Sequence, residues 1–199
     1  MKLYYTPGAC SLSPHIIAQE AGIPIELEKV DLKTHKTASG EDFYQVNPKG
    51  YVPALRLDDG SLLTEGPAID TYLADQKPDS GLMPSGNDRY KTLSWLAFIN
   101  SELHKTFGPL FANPSEDAKK EITAKLSKRF DYVNQQLAGH DYLMGKTFTV
   151  ADAYLFVMLT WSHHLKIDLS SFHNLTAFFA RVAQRPKVHQ AMKDEGLVK

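Results

Sequence analysis

Lys2-Leu3-Tyr4-Tyr5-Thr6-Pro7-Gly8-Ala9-Cys10-Ser11-Leu12-Ser13-Pro14 is the stretch on which the reading of this chain turns. Lys2 to Tyr5 reads as a short strand, and the residues after Cys10, through Gly22, read as a helix. The thiol of Cys10 is therefore expected where a strand hands over to a helix N-terminus. Unpaired N–H groups and the positive end of the helix dipole favour an anion there, so a thiolate is expected to form more easily. A lone cysteine is most often a small buried hydrophobe. Pro7 and Gly8 place this one in a loop held by a scaffold, where functional residues concentrate.

Cys10 is the only cysteine, which excludes an intrachain disulfide and any multi-cysteine metal site. That fits a reducing compartment, and a cytoplasmic protein is expected. The chain of 199 residues suits one large domain or two small ones, and its 43% hydrophobic content suffices for a real core. A net charge of −1 gives no bulk drive toward nucleic acid or an acidic membrane, so neither is expected as a partner. No apolar run approaches a signal peptide or a bilayer span.

Outward from Cys10, Ile25 to Val30 alternates apolar and polar residues and reads as a strand. Val52-Pro53-Ala54-Leu55-Arg56-Leu57, Asp58-Asp59-Gly60 and Ser61-Leu62-Leu63 form a hairpin signal, with Asp-Gly expected to supply the positive φ angles of its turn. Thr64-Glu65-Gly66-Pro67 opens a further helix, with Thr64 or Glu65 as its cap. Pro78, Gly81, Pro84 and Gly86 mark a linker, and the rest is helical. The expected domains are residues 1–77, a linker at 78–87, and a helical domain at 88–199.

In the helical part, Tyr90, Leu93, Leu96, Ala97, Asn100, Leu103 and His104 are expected on one face. Ile122, Leu126, Phe130, Val133 and Leu137 follow at helical spacing, and Ala153 to Leu165 is apolar enough for a buried central helix. Thr149-Val150-Ala151-Asp152 fits a capping box, which is expected to start that helix rather than to catalyse. His163-His164 has no metal-binding pattern around it and reads as packing or a pocket wall. No metal site is expected.

A small α/β domain followed by an all-helical one, with a thiol after the first strand, resembles the cytosolic glutathione transferases. Tyr4–Ser13, Val46-Asn47-Pro48-Lys49-Gly50-Tyr51-Val52-Pro53-Ala54-Leu55, Leu63–Ile69, Ser101-Glu102-Leu103-His104-Lys105 and Phe148–Leu155 resemble the bacterial beta class, over essentially the whole chain. The resemblance implies an α/β, thioredoxin-like N-terminal domain, an all-helical C-terminal domain, and a homodimer with its active site in the cleft between domains. It implies glutathione as co-substrate, with no resident cofactor, and small hydrophobic electrophiles as the second substrate.

It also assigns residues. Cys10 and His104 would be catalytic, with the imidazole facing the sulfur and favouring thiolate. Val52 and Pro53, joined by a cis bond, would present backbone to the cysteinyl part of glutathione; sequence alone shows only that such a bond can be cis. Glu65 and Gly66 would receive the γ-glutamyl end at a helix N-terminus. His35 and Lys36, beside Lys33, would meet the glycyl carboxylate, unless they are simply a solvated charged surface. Ser101, Glu102 and Lys105 would complete the glutathione site, Lys105 supplying charge to a ligand carboxylate. Tyr5, Phe107, Phe111 and Trp161 would wall the electrophile pocket, although aromatics at helical spacing are also core residues.

Ser13 stands where a C-x-x-C motif would place a resolving cysteine. A single thiol can still form a mixed disulfide with an outside thiol, so two activities are expected: conjugation, including halide displacement, and glutathione-dependent disulfide reduction through Cys10. The alternative is a non-catalytic ligand-binding or interaction protein on the same fold.

Overall fold

Strand β1 (Lys2–Tyr5) leads through the Cys10 loop into helix α1 (Leu12–Ala21), which carries the chain across to strand β2 (Glu26–Asp31). Because β2 lies parallel to β1, with Leu3 opposite Leu27, this crossover is obligatory. Helix α1 stops at Gly22, whose φ of 65° suits a residue without a Cβ. The Gly22 and Ile23 N–H groups turn back onto the Gln19 and Ala18 carbonyls at 3.2 and 2.9 Å.

The computed structural model describes residues Met1–Lys199 throughout. After β2 come strand β3 (Lys36–Thr37), the short helix α2 (Phe43–Val46), strands β4 (Ala54–Arg56) and β5 (Leu62–Thr64), and helix α3 (Gly66–Asp75). The sheet order is β3-β2-β1-β4-β5, and every pair but β1–β2 is antiparallel. Helices α1 and α3 pack side by side, and Tyr4, Val30, Phe43, Val46, Val52 and Ala54 form a buried cluster. This is the expected thioredoxin-like arrangement. The hairpin turn differs from expectation in one respect. Only Gly60 has a positive φ, 85°, while the Asp59 carboxylate accepts the Ser61 N–H at 2.8 Å.

The second unit, Pro84–Gln184, is helical. It holds α4 (Gly86–Phe98), a π-helical segment (Ile99–His104), α5 (Lys105–Phe107), α6 (Glu116–Gln136), α7 (Val150–His164) and α8 (His173–Ala183). Helix α7 is buried along nearly its full length, and α6 buries Leu126, Phe130 and Val133, as the periodicity predicts. The expected face holds at Leu96 and Leu103, which are buried, but not at Tyr90, which is 71% exposed, or at Ala97; the buried stripe is Thr92, Leu96, Ile99, Leu103 and Phe107. Its steps of three and four run on through the π-helical segment, which buries Ile99 and Leu103.

The last helix, α9 (Pro186–Asp194), belongs with the first unit, which comprises Met1–Met83 and Arg185–Lys199. Sequence pattern places these residues in the helical segment; in the structure they pack on α1. Val188 and Ala191 are buried, and Arg185 holds the Glu20 carboxylate at 2.7 and 2.8 Å. No helix is long and apolar enough to cross a membrane.

Candidate functional site

The Cys10 loop is built from short-range hydrogen bonds. Ala9 N–H reaches Thr6 O at 3.0 Å, Ser13 N–H reaches Cys10 O at 3.1 Å, and Ser11 Oγ accepts the Thr6 N–H at 3.2 Å. Cys10 thus stands two residues ahead of α1, and its Sγ donates to the Val52 carbonyl at 3.4 Å. The Val52–Pro53 bond is cis, as the resemblance implies.

Burial works against the expected easily formed thiolate. Burial pushes the Cys10 thiol up to about 12, outweighing the N–H groups of Cys10 and Ser11, and the negative charges of Asp70 and Glu65 push the same way. The magnitudes decide the outcome. A helix end contributes about 0.3–1 kcal/mol to a nearby anion, whereas burying an anion without a cation beside it costs several times that. The thiol proton is directed to the Val52 carbonyl.

Glu65 has a φ of 71° and immediately precedes α3. Glu65 stands at the N-cap position, but its side chain makes no capping hydrogen bond. The Glu65 carboxylate instead accepts from Lys49 Nζ at 2.6 Å and from Tyr51 OH at 3.3 Å, and Lys49 also donates to Thr64 Oγ1 at 2.9 Å. Lys49 and Tyr51 were not singled out from sequence, although they lie in the same Val46–Leu55 motif as Val52 and Pro53. Gly66 opens α3 with Pro67 behind it, and Val52 is buried.

The basic loop is less concerted than its sequence suggests. His35, with a φ of 52°, lays its ring 4.4 Å from that of Tyr44 and meets the Tyr44 hydroxyl through Nε2 at 3.2 Å. Lys36 is exposed on the outer strand β3, and Lys33 is exposed beside it.

Beneath the Cys10 loop lies a buried acid that sequence reading missed. Ser13 Oγ donates to Asp70 Oδ2 at 2.7 Å, while Asp70 Oδ1 is enclosed with no partner. Asp70 is 0% exposed, and burial pushes its carboxyl up to about 8. A second buried acid comes from the far end of the chain. Glu195 accepts from Gly8 N–H at 2.9 Å and meets His15 Nδ1 at 3.0 Å.

In the helical unit, His104 closes the π-helical segment. Its Nδ1 is hydrogen-bonded to Tyr154 OH, and Tyr154 in turn donates to Asn100 Oδ1 at 3.0 Å. Trp161 lies edge-on to His104, Phe107 and Phe111, at centroid distances of 5.0, 5.7 and 5.1 Å. Three of the four expected pocket aromatics thus meet at Trp161, which also touches His104. Phe107 is buried and also packs on Phe130, so it is core as well as wall, whereas Phe111 is exposed. Tyr5, in the first unit, packs against His15. Ser101 is exposed and donates to Ala97 O at 3.0 Å, Glu102 is engaged by Arg129 Nε at 2.7 Å, and Lys105 is exposed. His163 packs on Phe179 at 4.5 Å, in keeping with a packing role.

Comparison with known proteins places this geometry. The model of the glutathione S-transferase N-terminal domain matches residues 8–76, and that of the C-terminal domain matches residues 92–186. The chain is 48% identical to glutathione S-transferase GstA of Escherichia coli O157:H7, covering 99% of this chain and 100% of that one. It superimposes on the beta-class glutathione S-transferase of Sphingomonas chungbukensis with a TM-score of 0.95, at 48% identity and full coverage of both chains. A sphingomonad glutathione S-transferase solved with glutathione gives a TM-score of 0.94 at 49% identity, again over the whole of both chains.

Proposed function

The chain belongs to the glutathione S-transferase family, and from that premise we propose that it conjugates glutathione to small hydrophobic electrophiles and exchanges disulfides through Cys10. The sphingomonad relative holds glutathione, which supports the same ligand here. The observation that carries the reading is the contact of Cys10 Sγ with the Val52 carbonyl, 3.4 Å apart. It sets the only thiol against backbone that can pair with an extended thiol peptide. Glu65 and Gly66 at the start of α3 receive its γ-glutamyl end, and His35 and Lys36 its glycyl carboxylate. Ser101, Glu102 and Lys105 are assigned to glutathione binding as well, in a homodimer of cytoplasmic location.

In conjugation, the glutathione sulfur attacks an electrophilic carbon. Where that carbon bears a halide, the carbon–sulfur bond forms as the carbon–halogen bond breaks and halide leaves. The thiol proton passes to a base, the role of His104, and the protein supplies orientation and a lowered barrier to ionisation. Phe107, Phe111 and Trp161 offer an apolar wall to the electrophile. In disulfide exchange, Cys10 and a disulfide RSSR give the mixed disulfide Cys10–SSR and RSH. Glutathione then attacks the R sulfur, forming RSSG and restoring the Cys10 thiol, so no second protein cysteine is needed.

The test is intact-protein mass after incubation with oxidised glutathione, beside retention on a glutathione resin. Retention and one added glutathionyl group, absent in Cys10→Ala, support both halves. Full disulfide reductase activity in Cys10→Ala removes the exchange mechanism, and loss of retention by the native chain removes the glutathione site.

A further inference from the structure

His104 does not stand alone in its helix. Asn100 lies four residues before it in the same π-helical segment, and the hydroxyl of Tyr154 on α7 reaches both side chains. A phenol has one proton. The Tyr154 proton is directed to Asn100 Oδ1 at 3.0 Å. The phenol oxygen can then meet His104 Nδ1 only as an acceptor, so Nδ1 carries the hydrogen. In the neutral ring the lone pair is left on Nε2.

We infer that Tyr154 and Asn100 are positioning residues that set the tautomer of His104, making Nε2 its basic nitrogen. The inference rests on the reading of His104 as the base in glutathione chemistry. The relay supplies two things that the imidazole lacks by itself. It holds the ring orientation, with Trp161 edge-on at 5.0 Å limiting rotation from one side. It also places an oxygen acceptor on Nδ1–H, which stabilises the imidazolium formed when Nε2 takes a thiol proton. The opposite polarity, with the Asn100 amide donating to the phenol and the phenol to Nδ1, would put the lone pair on Nδ1, where the phenol already occupies it.

The test is nitrogen NMR of the full-length protein labelled at histidine, with the His104 signals assigned by their loss in His104→Gln. Neutral His104 is expected to show a protonated, pyrrole-type Nδ1 and a pyridine-type Nε2. In Tyr154→Phe that preference is lost, and kcat/KM for glutathione conjugation falls about 10-fold with its acid limb displaced. Asn100→Asp, which keeps the acceptor, retains the native tautomer, whereas Asn100→Leu does not. A pyridine-type Nδ1 in the native protein overturns the inference, and that spectrum needs no variant to fold. An unchanged tautomer in Tyr154→Phe overturns it equally. Full activity in His104→Gln would instead remove the base role itself, whatever the tautomer.

Discussion

Glu195 accepts a hydrogen bond from the backbone N–H of Gly8, two residues before Cys10, across a sequence separation of 187 residues. The same carboxylate meets Nδ1 of His15 on α1, whose side chain is only 1% exposed. Leu197 lies over Gly8, close enough that a Cβ there would touch it at 3.4 Å. The end of the chain therefore braces the loop that carries the thiol.

Removing that brace should be expensive. Glu195→Ala removes the carboxylate that meets Gly8 N–H and His15 Nδ1, leaving His15 the longer contact of Nε2 with Asp194 at 3.6 Å, and losing one partner of such a set costs about 2–4 kcal/mol. Glu195→Gln keeps an acceptor for Gly8 and should lose less. Urea midpoints of the two variants check this, together with the alkylation rate of Cys10, which rises in Glu195→Ala as the loop opens. Native midpoint and native alkylation in Glu195→Ala would show that the brace carries no load.

Asp70 makes stability depend on pH in a definite direction. Its ordinary value is 3.8, and burial raises it to about 8 in the folded chain. Between those values the folded state holds a proton that the unfolded state has released, so stability falls as pH rises through this window and levels off above it. Asp70→Asn keeps an acceptor for Ser13 and has no proton to lose. The variant's advantage over the native chain should be small near pH 4, grow steadily through neutrality, and flatten above about pH 8. Parallel denaturation series at several pH values read this directly, and curves that run parallel from pH 4 to 9 would contradict it.

Local pattern made much of this architecture legible. The strand before Cys10, the helix ending at Gly22, the hairpin and the buried α7 all announce themselves through periodicity and turn residues within a few positions. What stayed hidden are side-chain pairs joined only by tertiary packing: Gly8 with Glu195, Ser13 with Asp70, Asn100 with Tyr154, and Lys49 with Glu65. Each member is an ordinary polar residue in its own neighbourhood, and nothing local names its partner. The upward push on the Cys10 thiol has a related origin. A helix terminus can be read from sequence, but desolvation depends on what covers the sulfur, here the Val52 backbone and the elements around it. Tyr90 shows the limit of periodicity itself, since a face correctly drawn through Leu96 and Leu103 still extends to an aromatic that is 71% exposed.

The capping box at α7 carries more than its motif suggests. Asp152 Oδ2 accepts from both the N–H and the hydroxyl of Thr149 at 2.8 Å, and Oδ1 accepts the Leu143 N–H at 2.8 Å, all buried. A cap alone is worth about 1 kcal/mol. With a second loop tied to the same carboxylate and no water to replace it, Asp152→Ala should cost about 2–4 kcal/mol. A thermal melt within a degree of the native one would refute the assignment.

Lys49 and Glu65 give the contrasting case of an exposed pair at the proposed site. Their side chains are 45% and 54% exposed, and an ion pair so placed contributes about 0–1 kcal/mol to folding. Lys49→Ala and Glu65→Gln should therefore leave the unfolding midpoint nearly unchanged. Binding is another matter. Glu65 is held by a φ of 71° at the entrance of α3, a conformation that L-residues seldom adopt and that sets where its carboxylate points. If that carboxylate takes the ammonium of glutathione, it exchanges Lys49 for the ligand, and neutralising it removes a charged hydrogen bond of about 1.5–3 kcal/mol. Glu65→Gln should then raise the glutathione KM about 10-fold or more while the fold is undisturbed. Steady-state kinetics beside a melt separate the two effects, and an unchanged KM would take Glu65 out of the site.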